Sequence, residues 1–247
     1  MTARFNGCKI QERLVCLITK SKSNSAPTTH NNNNNMNKKD PISMIFHDSC
    51  LRMSDVHLLQ GPFWLSDQIL SFYYEYLSHV KYKNNKDVYF IAPEVTQCMK
   101  YMDDSELELL FEKQNAYRKR FMFFALNDNE SSSEGGTHWS LLVLSLPQQT
   151  FFHFDSCGNS NVRASRRLMN KVKYGLGMQQ TRFRAMNCLQ QANGFDCGIH
   201  VICTTDHIVD HLNRYGFLEG LPTLPVELVM GKRSELLNLI LFLGGKI

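Results

Sequence analysis

Phe121-Met122-Phe123-Phe124-Ala125-Leu126 is an unbroken apolar run, the pattern of a strand buried on both faces in the middle of a sheet. Such a strand needs partners. After the polar, glycine-containing stretch from Asn127 to Thr137, His138-Trp139-Ser140-Leu141-Leu142-Val143-Leu144-Ser145 reads as the next strand. A turn at Leu146-Pro147-Gln148-Gln149 predicts a hairpin that returns through Phe151 to Asp155. With the turn centred between Pro147 and Gln148, Ser140 faces Asp155 and His138 faces Cys157 across the ladder. His138 and Asp155 then share a face as diagonal neighbours, ~7–8 Å apart at Cα and within side-chain reach. A slip of one residue would separate them.

The other elements follow from spacing. Ser66 is a candidate N-cap for a helix running to about Val80, with Ile69, Phe72, Tyr73, Tyr76, Leu77 and Val80 on one face. Val88 to Ile91 reads as a short buried strand, and Pro93 suits the first turn of a helix through Met102. Leu107, Leu109, Leu110 and Phe111 suggest another helical piece. Asn161 to about Tyr174 reads as a basic amphipathic helix and Thr181 to Met186 as a strand. Leu236 to Leu243 predicts a C-terminal helix, far short of the ~20 apolar residues of a membrane span. Strands and helices of this kind place the chain in the α+β class.

Gln190-Gln191-Ala192-Asn193-Gly194-Phe195-Asp196-Cys197-Gly198 is a loop of polar and small residues that delivers one cysteine to an apolar run. Ile199, Val201, Ile202, Ile208, Val209 and Leu212 continue that run at helical steps, so a buried helix is predicted from about Cys197. A thiol at a helix N-terminus meets unpaired N–H groups and the positive end of the dipole, which favour the nucleophilic thiolate. A core cysteine at a helix start is the competing reading. A base held by an acid near such a thiol has the logic of covalent catalysis, with Cys197 attacking a carbonyl, His138 shuttling the proton and Asp155 fixing the tautomer. Gln190 or Gln191 would offer an amide donor to the oxyanion.

Other groups compete for these roles. His153 shares the face of Asp155, but its aromatic surroundings favour a half-buried structural histidine. Cys157 sits in a turn-like Asp-Ser-Cys-Gly context, and Cys203 falls mid-helix in the core. His207 and His211 stand four apart, a metal-ligand spacing, yet lack the adjacent glutamate and a clear third ligand, so a solvated face is expected there.

Composition bounds the rest. The 247 residues suit one domain with extensions. Eight cysteines contain no Cys-x-x-Cys pair, which argues against structural zinc, and no secretory leader is evident. A reducing compartment, cytoplasm and/or nucleus, is expected. Residues 1–39 hold seven Lys/Arg against one acid and end in an Asn run. They read as a disordered extension, with a weaker resemblance to an organelle transit peptide. Residues 40–247 then carry the folded domain and a net charge of about −2, with no basic stripe interleaved with aromatics, so nucleic-acid binding is not expected.

Taken together, Gly136 to Leu141, Phe152 to Ser156 and Gln190 to Gly198 resemble the adenain-like cysteine proteases that process ubiquitin-like modifiers, the sentrin/SUMO-specific protease group. The resemblance covers roughly residues 40–243. Asp55-Val56, Leu58-Leu59, Trp64 to Asp67, Ile91 to Gln97 and Leu126 to Asn129 look most like its deneddylase subclass. It implies a papain-like-superfamily fold, a mixed sheet flanked by helices, with no cofactor and no metal. It further implies His138, Asp155 and Cys197 as the triad and Gln191 as the oxyanion glutamine. Trp64 and Trp139 match tryptophans walling the tunnel for a modifier's C-terminal Gly-Gly, and Asp67 a binding residue beside it. Only glycine, lacking Cβ, passes flat between two indoles. The implied partners are the neddylation modifier and its conjugates, such as cullins, with the enzyme a monomer. A SUMO protease with the same chemistry, acyl transfer as in distant bacterial effectors, and a silent modifier-binding module are the alternatives. The loop at Glu130 to Glu134 and the 1–39 extension depart from the family pattern.

Overall fold

The computed structural model describes residues 40–131 and 135–247. The extension expected over 1–39 and part of the loop expected at Glu130 to Glu134 lie outside the described residues. A hairpin of β1 (Ile42–Phe46) and β2 (Ser49–Arg52) leads into α1 (Met53–Leu58), and α2 (Asp67–Tyr76) follows. Then come β3 (Val88–Ile91), α3 (Pro93–Met99), α4 (Asp104–Lys113), β4 (Phe121–Asn127), β5 (Trp139–Ser145) and β6 (Thr150–Phe154). The chain ends through α5 (Val162–Gly175), β7 (Arg182–Met186), α6 (Cys197–Tyr215) and α7 (Val226–Phe242).

The main sheet runs β3-β4-β5-β6-β7. The β4–β5 and β5–β6 pairs are antiparallel, and the outer pairs β3–β4 and β6–β7 are parallel. Leu141 faces Phe154 and Ser145 faces Thr150, the register expected from the turn. The apolar run of β4 divides by alternation. Phe121, Phe123 and Ala125 join the core shared with α2, α6 and α7, whereas Met122, Phe124 and Leu126 join the core beneath α3, α4 and α5. Helices therefore cover both faces, which is why β4 and β5 carry so little polar alternation.

Several boundaries differ from the sequence reading. The first hairpin and α1 carried too weak a periodicity to be expected. The helix from Ser66 gives way at Leu77 to a π-helical turn through Lys81, which leaves Val80 exposed rather than on the apolar face. That turn carries Lys81 to the buried carboxylate of Asp206, 2.9 Å away, which Tyr73 and Lys232 also engage. Helix α3 stops at Met99 rather than Met102, and α7 begins at Val226, ten residues before the apolar stretch that announced it. His153 is fully buried, not half-buried, with Nε2 3.1 Å from Ser140 Oγ. His211 is also buried rather than solvated, with Nε2 3.2 Å from the Glu219 carbonyl, and His207 Nε2 lies 2.8 Å from the Pro222 carbonyl. The short chain after α6 folds back over that face and takes both imidazoles as partners. Cys203 is core, as expected, and burial pushes its thiol up to about 12. Among the described residues there is no group of three metal-ligating side chains, and no helix long and apolar enough to cross a membrane.

Candidate active site

The hairpin register brings the start of β5 and the end of β6 to one end of the sheet, where α6 also begins. His138 immediately precedes β5 and Asp155 immediately follows β6. Their side chains meet, with His138 Nε2 2.6 Å from Asp155 Oδ1 and both residues buried. Cys197 is the first residue of α6, only 2 % exposed, and is the other hydrogen-bond partner of the imidazole. With Nε2 committed to the carboxylate, Nδ1 is the ring nitrogen left for the sulfur. The three groups expected to converge do so.

Charge is held here by specific partners. Burial pulls the His138 pKa down, but the hydrogen bonds and negative charge of Asp155 and Cys197 outweigh it and raise it to about 10. Burial works against the Asp155 carboxylate too. Hydrogen bonds from His138, from the Asn161 N–H at 2.8 Å and from the Cys157 N–H at 3.0 Å prevail and hold it below the usual carboxylate range. His153, on the same strand but without a carboxylate contact, goes the other way, and burial lowers it to about 4. It remains a neutral packing group. Cys157 stands exposed on the loop and contributes its backbone rather than its thiol.

The scaffold behind the pair involves residues that sequence reasoning did not single out. Asn161, buried just ahead of α5, gives its N–H to Asp155 and its side-chain amide to Ser140 Oγ at 3.1 Å and the His138 carbonyl at 3.3 Å. Asp128 accepts the N–H groups of Thr137 and His138, and so fixes the chain entering β5. Those hydrogen bonds overcome its burial and lower its pKa. Gly136 makes this turn possible. Its φ is +100°, and a Cβ there would lie 1.8 Å from Asn127 Oδ1. An Asn before a helix is a weak sequence signal; Asp128 lay within the Leu126 to Asn129 resemblance, but no role followed for it, because its partners are set by the loop.

The two glutamines divide their roles. Gln190 is spent on structure, donating to the Asp155 carbonyl at 3.0 Å and accepting the Gly158 N–H at 2.7 Å. Gln191 accepts from Ser156 Oγ at 2.8 Å and donates one amide N–H to the Asn193 carbonyl at 2.6 Å. A primary amide carries a second N–H besides the one given to Asn193. Trp64 is half exposed and donates its indole N–H to the Gly194 carbonyl, three residues before the thiol. Trp139 donates to the Leu65 carbonyl at 3.1 Å. Leu65 in turn closes on Gly198, where an added Cβ would stand 3.0 Å from Leu65 Cβ. Asp67 opens α2 close to these groups. Burial, with Asp55 nearby, raises its pKa against the pull of the Gln68 N–H it accepts at 2.9 Å.

Arg233 on α7 fastens this arrangement together and was not foreseen, since it lies 36 residues beyond the cysteine. Its guanidinium donates to Asp196 Oδ1 at 2.7 Å and 3.0 Å, to the Leu58 carbonyl at 2.6 Å and to the Phe63 carbonyl at 2.7 Å. One side chain thereby ties the residue before Cys197 to the loop that carries Trp64. Only the planar fork of arginine reaches three such acceptors at once.

Residues 63–214 match the Ulp1 protease family, C-terminal catalytic domain. Over 211 residues the chain is 37% identical to the mouse protein named sentrin-specific protease 8, covering 84% of this chain and 96% of that one. It is 30% identical to NEDD8-specific protease 1 of Arabidopsis thaliana, covering 79% and 90%. Among solved structures, the C-terminal Ulp1 protease domain in complex with Smt3, the yeast ortholog of SUMO, superposes with a TM-score of 0.64 at 17% identity, covering 95% and 94%. At that identity the likeness speaks for the fold.

Two outcomes follow from the geometry. His138, raised from 6.5 to about 10, contributes stability in full below pH 6.5 and loses it as pH climbs through about 10. Asp155, depressed from 3.8, contributes above that value and loses its share on acidification. The melting-temperature gap between wild type and Asp155→Asn should therefore be widest between pH 3.8 and 6.5 and shrink toward pH 10. A gap that widens from neutral to alkaline pH would contradict the assignment. Arg233→Met should lower the unfolding free energy by about 3 kcal/mol in urea titration, because Asp196 and two carbonyls lose their donor. A loss within about 0.5 kcal/mol would mean that the fork holds nothing.

Proposed function

Because the chain belongs to the Ulp1 protease family and is a cysteine peptidase, we propose that Cys197, His138, Asp155 and Gln191 act together to cut after the C-terminal Gly-Gly of a ubiquitin-like modifier. The observation that carries this reading is the unbroken chain from Asp155 Oδ1 through the His138 ring to the Cys197 thiol at the start of a buried helix. The raised pKa of His138 keeps its ring protonated at neutral pH, so Nδ1 already holds the proton that the thiol gives up, and Asp155 stabilises this imidazolium beside the sulfur. The sulfur adds to the carbonyl carbon of the terminal glycine, and the oxygen takes up the charge. The second amide N–H of Gln191 meets that oxyanion, a donor typically worth ~2.7–4 kcal/mol of barrier. His138 then returns its proton to the departing amine, a lysine Nζ in a conjugate or an α-amine in a precursor. Water, deprotonated by the same imidazole, opens the thioester and restores the thiol.

The substrate half of the proposal rests on the indoles and on the relatives. Trp64 and Trp139, tied to backbone close to the thiol, wall a passage that admits only a chain without Cβ at the two positions before the cut. The Arabidopsis relative is named for NEDD8, and on that ground the proposal takes this chain as a deneddylase for precursors and conjugates. The proposal extends to cullins among the conjugates, a monomeric enzyme, and action in the cytoplasm or nucleus. It assigns Asp67 to the substrate side of the passage.

Cys197→Ala should bind the modifier as wild type does and cleave nothing. Gln191→Ala should lower kcat by roughly 10²–10³ with KM little changed. Measuring both against a modifier fused through Gly-Gly to a small reporter decides the matter. Persisting cleavage by Cys197→Ala would remove the nucleophile, and a Gln191→Ala effect confined to KM would make Gln191 a binding group instead.

A further inference from the structure

Away from the thiol, β7 forms one edge of the sheet among the described residues. Residues 156–195 contain seven Lys/Arg and no Asp or Glu. Residues 40–247 as a whole hold 20 basic and 22 acidic side chains, so the rest of that span carries 13 against 22. Positive charge is thus gathered on α5 and β7, and β7 is the edge strand. From this we infer that the β7 edge is a docking surface for an acidic, extended segment of the protein from which the modifier is released. The inference rests on the peptidase reading above.

The backbone supplies the first half of the argument. The Arg182 N–H donates to the Gln149 carbonyl on the β6 side at 2.9 Å. Alternation along the strand turns the peptide groups of Phe183 and Ala185 away from β6, toward the open edge. Side chains supply the second half. Arg182 and Arg184 project on one face, where the Arg184 guanidinium lies 5.8 Å from the Phe152 ring centre. Phe183 projects on the other, and Arg166 from α5 sits 4.2 Å over its ring. Arg166, Arg182 and Arg184 are exposed. Stacking on rings steers guanidiniums to both sides of this ladder, on which no further strand pairs among the described residues. An added strand with acidic residues on alternate positions would find backbone partners and an arginine on either face.

Location makes this the leaving-group side. β7 is parallel to β6, and Met186 pairs with Phe154, so the edge ends beside Asp155. From there residues 187–196 lead to Cys197 and carry Gln191 on the way. Trp139 lies on β5, across β6 from this edge. A modifier tail held by the indoles therefore leaves the β7 side to whatever follows the scissile bond. Charges on an edge strand also deter pairing between copies. That purpose needs one or two charges on the strand itself and gives no reason for an acid-free stretch reaching back across α5. Arg167 is already paired with Glu130 and is left out of the proposal.

The test compares two precursors in which Gly-Gly is followed by alternating Glu/Thr or alternating Lys/Thr, together with the modifier capped by a small fluorogenic amine. Wild type should prefer the Glu/Thr precursor by about tenfold in kcat/KM at low salt, chiefly through KM, and the preference should fade near 1 M salt. Combined Arg166→Glu, Arg182→Glu and Arg184→Glu should reverse it, and the Gln versions should flatten it, with the small substrate unaffected. Equal cleavage of both precursors by wild type, or a preference that survives in the Glu and Gln variants, overturns the inference. So does retention of single-stranded RNA by this face without any precursor preference. If wild type fails on the small amine substrate as well, the peptidase reading falls first and takes this one with it.

Discussion

A carboxylate and an imidazole buried 2.6 Å apart stay charged only if their own remaining lone pairs and protons find partners. Much of the molecule around the site serves that condition. Asp155 takes two backbone N–H groups besides the ring, one from the turn after β6 and one from the residue ahead of α5. The chain bearing His138 is pinned from behind by Asp128 and Asn161. Gln190 ties the loop before the cysteine to the Asp155 carbonyl. The pair is therefore fixed to three separate parts of the fold, and the ring can present only one nitrogen to the thiol.

A second constraint acts on the approach to that thiol. The loop before α2 and the loop before α6 are far apart in sequence, yet Trp64 and Gly194 are joined directly and Arg233 clasps both loops from α7. Helix α7 thereby fixes the loop that carries Trp64 relative to the residue before Cys197.

Much of this was legible in the sequence, for identifiable reasons. The hairpin from 138 to 155 has a short turn between two apolar runs, so its register followed from the position of that turn and placed His138 against Asp155. Cys197 at a helix start followed from a polar loop meeting an apolar run. What stayed hidden depends on contacts distant in sequence. Arg233 looks like any helical surface residue until α7 is docked, and Asp128 like any loop acid. His211 looked solvated because the chain that covers it has no regular structure. The β1–β2 hairpin was missed because its strands are short and Ile42 and Ile45 remain exposed, which blurs the alternation.

Cleavage by this mechanism requires the thiol of Cys197 to react as a nucleophile toward one modifier's C-terminus. The most direct measurement is covalent trapping by NEDD8, SUMO and ubiquitin each tipped with an electrophile, with intact mass and peptide mapping of the adduct. The account predicts one adduct, on Cys197, formed with the NEDD8 probe and absent in Cys197→Ala. An adduct chiefly with the SUMO probe would keep the chemistry and overturn the modifier. No adduct with any probe, while the modifiers still bind, would contradict the peptidase mechanism itself.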